Sequence, residues 1–554
     1  MDVFAGLRVM LGARLTRRDV LRAAALQSLL LAFAQRAAAA ESAPLSGARD
    51  ALDIRSLGAV GNGRALDTRA INQAIERVAA KGGGAVRVPA GDYLCHTIRL
   101  RDNITLRLER GAILRAASPG DYDPVEPNRW SEYQDYGHNH WRNSLLCGVG
   151  VSNVAIVGPG LICGNGLSRG EGATPSARMP GVADKIIALK NCRNVTLEGF
   201  SLVGSAHMGI LATGVTTLRA RKLLIDMGRD GIDIDCCEDA LLEDLVLNTP
   251  HDDSIALKAS AALGVSRPTR NIRIRRCLAT GGFKPGTLYD GSRVPVGAKD
   301  GMKARIKLGT ESCWGFEDIV IEDCVVWDGL GIPLLTVDGG PLKRVAIRNV
   351  TMSNIQDAPL FLRLGRRLSA PPGAAVREFE DVTIRSLRCY RFGMPIVVSG
   401  IPGHRIAGVS LADIELVEER PDAGERGGGW MPVEDAPSGI AELVPPEREA
   451  HYPEVGMFGA LPAKLLFARH VTGLCIDGLR LRRVRQAADR ARAAVRDHRP
   501  LFWLQDVEAA RFAGIAVPSG AAQPHCRSDR PLQFPLAVSE DLPRAPDWLA
   551  AARR

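Results

Sequence analysis

Three aspartates near the middle of the chain are the residues best suited to chemistry. Asp230 is followed after 22 and 23 residues by Asp252 and Asp253. Carboxylates held close together repel one another, which costs folding free energy and raises at least one pKa. Hydrolysis of a glycosidic bond requires one carboxyl group that donates a proton and another that activates water. A calcium site or acidic surface turns would use the same residue types, so spacing alone leaves these alternatives open.

A repeat in the sequence must position these aspartates. It is visible in apolar residues that lie within short alternating strands, namely Ile210, Ile232, Ile255, Ile306, Ile332 and Leu360. A period of about 22 to 28 residues made of strands and turns is typical of a β-solenoid. We therefore predict an all-β fold, a single-stranded right-handed parallel β-helix.

The register of the repeat brings the aspartates together. Asp230 and Asp253 each lie two residues before a repeated isoleucine. If the isoleucines stack, these aspartates occupy the same place on successive coils, about 4.8 Å apart. Asp252 then joins the same patch, and Asp233 and Asp235 are expected to point outward beside it.

The remaining chain is predicted to form one domain over residues 41–554. Residues 52–95 read as its cap, in which apolar residues at helical spacing form a helix preceded by Asp67 or Thr68 as N-cap. Such a helix would cover an open sheet edge. The coils at about 200–340 would carry the site, and two long loops are expected at 281–301 and 418–452.

Residues 1–40 are predicted to be a twin-arginine signal peptide. Arg17 and Arg18 precede an apolar run from Ala23 to Ala34, and small alanines then lead to position 40. An uncleaved membrane anchor is the alternative interpretation. The signal predicts a bacterial protein exported in the folded state to the periplasm or secreted, without membrane contact after cleavage.

The net charge and the spacing of the cysteines indicate which classes of substrate and cofactor the protein can bind. The whole chain carries a formal charge of +9, of which +4 lies in residues 1–40, so the mature chain is mildly basic at about +5. This charge suits an acidic polysaccharide or oligosaccharide, whereas no basic stripe interleaved with aromatics predicts nucleic-acid binding. None of the twelve cysteines has Cys-x-x-Cys spacing, and we expect no metal or other cofactor. A monomer is expected.

The aspartate motifs resemble those of glycoside hydrolase family 28, the polygalacturonases and rhamnogalacturonan hydrolases. The two matching segments are Asp230-Gly231-Ile232-Asp233-Ile234-Asp235 and Asp252-Asp253-Ser254-Ile255-Ala256-Leu257-Lys258. Residues 58–93 also resemble the opening of pectin-lyase-fold enzymes. The resemblance implies an inverting hydrolase of pectin-like acidic polysaccharides or oligosaccharides, with Asp252 as general acid. It implies that Asp230 and Asp253 hold and deprotonate the attacking water.

The chain departs from the family pattern around this core. Gly228-Arg229 replace the usual Asn-Thr, and His251 stands where Gly or Gln is usual. The family histidine should fall at Ala304, and the family Arg-Ile-Lys should fall at residues 333–335, which read Pro-Leu-Leu. The resemblance therefore leaves the binding of a sugar carboxylate without its usual residues.

Other basic residues could compensate for this loss. Arg305 and Lys307 flank Ile306 and are predicted to point outward on the cleft face, where they would contact an acidic sugar. Solvent-facing basic residues would show the same pattern. The complete set of predicted substrate-binding residues is Arg229, His251, Lys258, Arg305 and Lys307.

Two other functions remain open on this scaffold. A polysaccharide lyase would use Arg305 or Lys307 as the base that removes the C5 proton of a uronate. A non-catalytic glycan-binding β-helix protein would need no acid or base at all. The loops at 281–301 and 418–452 could wall off one end of the cleft, which would favour exo-action by a hydrolase.

Overall fold

The computed structural model describes residues 51–133, 138–169, 179–297, 303–418, 443–484, 499–518, 526–529 and 536–539. The predicted signal peptide, residues 1–40, lies outside the described residues, as do residues 298–301 and 419–442 of the two predicted loops. The described residues belong to one compact unit. Among them, no helix has both the length and the apolar character needed to cross a membrane.

Most described elements are strands of one coiled parallel sheet. The first strands are β1 Leu52–Asp53, β2 Asn62–Leu66, β3 Gly84–Val88, β4 Gly91–Cys95, β5 Ile98–Arg99, β6 Ile104–Leu108, β7 Ala112–Ala116, β8 Ser144–Val149, β9 Ser152–Val157 and β10 Leu161–Cys163. The middle strands are β11 Lys185–Lys190, β12 Arg193–Glu198, β13 Ser201–Gly204, β14 Met208–Thr213, β15 Thr216–Arg221, β16 Leu224–Met227, β17 Asp230–Asp235, β18 Glu238–Glu243, β19 Val246–Asn248, β20 Ile255–Ala259, β21 Thr269–Arg275, β22 Leu278–Thr280, β23 Ile306–Ser312, β24 Phe316–Glu322, β25 Val325–Gly329 and β26 Ile332–Thr336. The last strands are β27 Leu342–Ile355, β28 Leu360–Leu364, β29 Phe379–Phe392, β30 Ile396–Ser399, β31 Ile406–Glu418, β32 Leu466–Arg483, β33 Phe502–Glu508, β34 Arg511–Ala513, β35 Ile515–Pro518, β36 Cys526–Ser528 and β37 Leu536–Ser539.

The strands stack in the register that the repeat predicts. Ile232 of β17 pairs with Ile255 of β20, and Ile255 pairs with Ile306 of β23, all in parallel. Parallel crossovers of this kind are right-handed, because only that hand packs a twisted strand back onto its sheet. The repeated residues are at most 1% exposed and belong to one continuous apolar core. These observations confirm the predicted right-handed parallel β-helix.

The predicted capping helix is also present. Helix α1, Thr68–Ala79, buries its stripe of apolar residues against the first coil. Asp67 precedes the helix, but its side chain does not cap it. Its carboxylate instead accepts hydrogen bonds from the backbone N–H groups of Val60 and Gly61, at 2.6 and 3.1 Å. Asp67 therefore ties the start of the helix to the turn that precedes β2. Three short 3₁₀ helices complete the described helical segments, at Ile54–Leu57, Ser131–Tyr133 and Val455–Phe458.

A ladder of asparagines stabilises one corner of the coils. Asn103, Asn153 and Asn194 have φ values of 59, 58 and 54°, in the left-handed region that asparagine tolerates better than most residues. The side-chain amide of Asn194 donates to Asn153 at 2.8 Å, and that of Asn153 donates to Asn103 at 2.8 Å. The turn is thus repeated on successive coils with its polar groups paired.

An irregularity in β23 alters the sheet at the site. Leu257 pairs with Leu308, but Ala259 pairs with Ser312, so β23 carries two extra residues between these partners. Gly309, with φ of 109°, begins this bulge. Bulges often redirect side chains beside functional sites. Here the bulge contains Glu311, which becomes part of the site described next.

Candidate active site

The three predicted aspartates lie together at the start of two successive coils. Because Ile232 and Ile255 are register partners, Asp230 and Asp253 occupy equivalent positions, and Asp252 is adjacent. One carboxylate oxygen from each of the three lies within 4.8 Å of the other two. Asp230 and Asp253 are buried, whereas the Asp252 side chain is 17% exposed. The structure thus forms a carboxylate cluster with one member partly exposed to solvent.

Two cations bind this carboxylate cluster. The guanidinium of Arg229 donates from Nε and Nη2 to Asp252 Oδ2, at 3.0 and 2.8 Å. The ammonium of Lys307 donates to Asp253 Oδ2 at 3.0 Å. Both residues were predicted from the sequence to bind substrate. In the structure each of them forms an ion pair with an aspartate of the trio.

The environment separates the proton affinities of the three carboxyl groups. Burial, followed by the charges of Asp252 and Asp233, raises the pKa of Asp230 well above its usual range. Burial also raises the pKa of Asp253, although Lys307 opposes the shift. For Asp252, burial is outweighed by Arg229, and its pKa is lowered. The environment therefore favours the protonated form of Asp230 and the ionised form of Asp252.

A second charged cluster adjoins Asp230 and was not predicted from the sequence. Its members are His138, Asp233, Lys258 and Glu311, each at most 5% exposed. The imidazole of His138 lies 3.3 Å from Asp233 Oδ2 through Nε2 and 3.3 Å from Glu311 Oε1 through Nδ1. Lys258 Nζ lies 3.5 Å from Glu311 Oε2 and 3.9 Å from Asp233 Oδ2. Thus Lys258 belongs to this buried network.

The protonation of His138 decides the net charge of that network. Burial lowers the pKa of His138 and Lys258 lowers it further, but Glu311 and Asp233 outweigh both and raise it. The 2.5 Å approach of Lys258 Nζ to His138 Nε2 instead suits a neutral imidazole that accepts a hydrogen bond. In an imidazolium both ring nitrogens are donors, so at this distance from the ammonium His138 is neutral and Nε2 accepts the hydrogen bond. Burial raises the pKa of Glu311, but that pKa is lowered overall, chiefly by the charge of Lys258.

One predicted orientation was wrong, and two outward-pointing side chains are covered by other residues. Arg305 is 0% exposed, and its guanidinium donates to the backbone carbonyls of Lys303 and Thr249 instead of facing the cleft. It is drawn inward because these turn carbonyls offer acceptors. Asp233 and Asp235 point off the core as expected, but both are 0% exposed because other residues cover them. Asp235 accepts hydrogen bonds from the Ser260 backbone N–H and hydroxyl, at 2.8 and 2.6 Å.

The positions where the family motifs are missing are occupied by packing residues. Ala304 is buried at 5% exposure, and no imidazole stands there. Leu308 pairs with Leu334, so Pro333 follows Lys307 along the outer face of the sheet. Leu335 packs in a separate apolar cluster. His251 is partly buried beside Asp252, and its backbone N–H donates to the carbonyl of Gly228 at 3.3 Å.

Within the described ranges, two groups of side chains have the spacing to hold a cation. They are His138, Asp230 and Asp233, and Asp230, Asp252 and Asp253, with ligand atoms within 4.8 Å of one another. Each group already faces an ammonium of the chain, since Lys258 contacts Asp233 and Lys307 contacts Asp253. The donor sets therefore fit an internally neutralised network better than a divalent-ion site.

The described part of the first predicted loop, residues 281–297, lies against the strands beside the site. Asp226 accepts hydrogen bonds from the backbone N–H groups of Leu288 and Tyr289, at 2.8 and 2.9 Å. Asn248 donates to the carbonyl of Phe283 at 3.0 Å. The buried Asp226 and Asn248 thus hold this loop down as one wall.

Residues 443–463 cover the sheet on the C-terminal side of Lys307. Phe458 packs against Phe361 and Phe467, with ring centroids 6.4 and 5.8 Å apart. The buried guanidiniums of Arg363 and Arg469 donate to backbone carbonyls of residues 445–448. The outer face of these coils is consequently closed. We call residues 443–463 the C-terminal wall.

Residues 121–133 and 138–143 form an N-terminal wall that the sequence did not reveal. Trp141 is fully buried against Ala188 and Leu211, on the coils that precede Asp233. Its indole N–H donates to Thr213 Oγ1 at 2.9 Å. The amide of Asn128 donates to the carbonyl of Ala262 at 3.0 Å, across 134 residues of sequence. The trio thus lies between covered coils on both sides.

Comparisons with known proteins find polygalacturonases among the similar chains. A protein described as a probable polygalacturonase from Vitis vinifera is 24% identical over 382 residues, which are 64% of this chain and 72% of that protein. An exopolygalacturonase from Thermotoga maritima superposes with a TM-score of 0.53 at 18% identity, covering 67% of this chain and 87% of its own. A family 28 exopolygalacturonase from Yersinia enterocolitica gives 0.53 at 17% identity, covering 86% of this chain and 79% of its own. No protein-family model matches the chain. These findings confirm the resemblance, and the two structures confirm the fold.

Proposed function

We propose that this protein is a glycoside hydrolase that cleaves pectin-like acidic polysaccharides or oligosaccharides. The observation that carries the proposal is the carboxylate trio, in which one oxygen each of Asp230, Asp252 and Asp253 lies within 4.8 Å of the other two. Glycosidic hydrolysis needs one carboxyl group that donates a proton and another that activates water, and the trio can supply both. The similarity to a polygalacturonase supports pectin-like sugars as the substrate class.

The geometry suits a water held by Asp230 and Asp253. One water that makes two hydrogen bonds of about 2.8 Å reaches oxygens about 4.5 Å apart, which matches the spacing within 4.8 Å. Lys307 favours the ionised form of Asp253, so Asp253 would take the proton as the water attacks and Asp230 would orient the water. Asp252, the most exposed member of the trio, would protonate the leaving oxygen. Inversion of the anomeric configuration is what the resemblance to family 28 implies.

The covered coils on both sides of the trio support exo-action. A long polymer needs an open groove across several coils, whereas Trp141 closes the preceding coils and Phe458 closes the following ones. A chain end can enter between them. We therefore propose that the protein removes sugars from the end of short or branched acidic chains.

The lyase alternative loses one of its two candidate bases. A lyase base must reach the C5 proton of the sugar, and Arg305 is 0% exposed with its donors on backbone carbonyls. Lys307 is 14% exposed and bound to Asp253, and its pKa is raised despite its burial, chiefly by Asp253. A raised pKa opposes the loss of the proton that a lysine base requires.

Product analysis tests the proposal. The mature protein would be incubated with polygalacturonan, rhamnogalacturonan and their oligosaccharides, while reducing ends and absorbance near 235 nm are recorded together. We expect new reducing ends without absorbance, and their loss in Asp252→Asn. Absorbance would establish a lyase. Binding without product from any of these substrates would favour the glycan-binding alternative.

We also propose export and a monomeric state. The Arg17-Arg18 pair and the apolar run that follows support passage of the folded protein to the periplasm or beyond. Cell fractionation of the wild type beside an Arg17→Lys/Arg18→Lys variant tests the export, because only the wild type should leave the cytoplasm. Light scattering of the mature protein tests the monomer.

A further inference from the structure

Arg229 and Asp252 form an ion pair at the open edge of the carboxylate trio. Both guanidinium contacts go to the same oxygen, Asp252 Oδ2, at 3.0 and 2.8 Å. The two side chains are 23% and 17% exposed, so the pair is only partly shielded from solvent. An incoming carboxylate can therefore reach the guanidinium and replace Asp252 as its acceptor without leaving Arg229 unpaired.

The other cations near the trio are less suited to meet an incoming carboxylate. Arg305 is buried away from the cleft, and Lys258 is 6% exposed within its own network. Lys307 is 14% exposed and holds Asp253. Lys303 is 45% exposed but pairs with Glu454 of the C-terminal wall at 3.2 Å. A guanidinium matches the planar geometry of a carboxylate, which a lysine ammonium does not.

We propose that Arg229 recognises the carboxylate of an acidic sugar by exchanging Asp252 for the substrate, and that this exchange prepares Asp252 to donate a proton. The inference rests on the proposed function and adds to it the residue that selects an acidic sugar. Pro333-Leu334-Leu335 stand where the family has its carboxylate-binding Arg-Ile-Lys. The inference assigns that role to an arginine one coil before Asp252.

The exchange changes the charge around Asp252. In the free protein, burial raises its pKa, but Arg229 outweighs burial, and Lys307 and Lys258 lower the pKa further. When Arg229 turns to the substrate, the largest cause that lowers the pKa of Asp252 is gone, while burial still raises it and Lys307 and Lys258 still lower it. Lys303 also faces Asp252, but it is held by Glu454. The pKa of Asp252 therefore rises on binding, and the carboxylate takes a proton from solvent.

The proton then follows a balanced path. Asp252 gives it to the glycosidic oxygen as the bond from that oxygen to the anomeric carbon breaks. Water adds to the anomeric carbon and gives one proton to Asp253, which returns it to solvent. A neutral sugar lacks the anion that draws Arg229 away, so Asp252 would stay ionised and the sugar would be cleaved poorly.

Kinetics of Arg229→Gln on trigalacturonate and on its methyl ester test the exchange. We expect KM for trigalacturonate to rise about 10- to 100-fold, the loss expected for one charged hydrogen-bonded contact. The methyl ester should not become a worse substrate than it is for the wild type. Arg229→Lys should restore part of the affinity, because it keeps the charge without the planar fork.

The pH profiles separate this role from a structural one. The profile of kcat/KM reports the free enzyme and that of kcat reports the complex. In the wild type, the basic limb of kcat should lie at higher pH than that of kcat/KM, and in Arg229→Gln the two limbs should coincide. An unchanged KM for trigalacturonate, or limbs that stay apart in the variant, would overturn the proposal.

Arg270→Gln is the matched control, since it removes a surface arginine from a pair with Glu238 remote from the trio. If it raised KM as much as Arg229→Gln, the effect would be general electrostatics and the proposal would fail. If the wild type cleaved none of the sugars, the proposed function would fail, and calorimetry with trigalacturonate would then test recognition alone. Equal affinity of wild type and Arg229→Gln would overturn recognition.

Discussion

Asp230 is 4% exposed and has three other aspartates as neighbours, so folding opposes its charge. Its pKa in the folded protein lies above the unfolded value of about 3.9. Folding therefore takes up a proton, and stability falls as the pH rises from about 4 through the raised pKa. Asp230→Asn should abolish activity. It should also stabilise the protein at neutral pH by about 0.5–2 kcal/mol, because it removes a buried carboxyl group that is kept for function at a cost in stability. Thermal unfolding at pH 5 and pH 8 measures this, and the gain should be larger at pH 8.

Asp252→Asn is the control for that prediction. It removes a neighbouring carboxylate of the same cluster, but one that Arg229 already neutralises. Its loss leaves a partly buried guanidinium without this partner, so Tm should not rise. Equal stabilisation by both variants would contradict the account of Asp230.

Residue types and spacing were sufficient to predict the trio, because Asp230 and Asp253 share a register with stacked isoleucines. The same reasoning predicted that Arg305 points outward, which was wrong. Strand alternation sets which face a side chain leaves from, but not whether nearby carbonyls then capture a long guanidinium. His138 was missed because it lies outside the repeat, where no register applies.

At the scale of elements, the C-terminal wall is a separate apolar cluster on the outside of the coils. Phe458→Ala should cost about 3–5 kcal/mol of packing at that cluster, which loosens the wall without unfolding the β-helix. Opening the coils beyond Lys307 should change the products from chain-end units towards longer fragments. Chromatography of early products from polygalacturonan would show this, and an unchanged pattern would contradict the role of the wall.

Phe316→Ala provides the comparison within the main core. Phe316 is 0% exposed inside the β-helix, away from the wall. Its truncation should lower the global Tm and leave the product pattern unchanged. A shift in products from this variant would show that general loosening, rather than the wall, governs the products.

The coils and the capping helix could be predicted because each is encoded locally, by alternation, helical spacing and the period of the repeat. The walls could not. The 134 residues between Asn128 and its partner Ala262 carry no pattern that tells where the earlier segment docks. The bulge that contains Glu311 could not be predicted either, because the two extra residues in β23 are recognised only once its pairing with β20 is known.

For the whole molecule, stacking places nearly all of the cysteines inside. All twelve are free thiols, ten are buried, and Cys475 and Cys526 are partly exposed. Burial raises the pKa of thiols such as Cys95 well above the usual range, so they neither ionise nor reach an oxidant. A protein exported after folding would carry these thiols unoxidised into an oxidising compartment.

Thiol labelling of any protein that leaves the cytoplasm would test the proposed export in the folded state. We expect at most two thiols to react in the native state, slowly at Cys526, where burial raises the pKa to about 12. All twelve should react after unfolding in denaturant without reductant, because no disulfide has formed. The same labelling of Cys475→Ser should remove one native signal. Disulfides in the isolated protein would mean that the chain met the oxidising compartment before its coils had closed over the thiols, and would contradict export in the folded state.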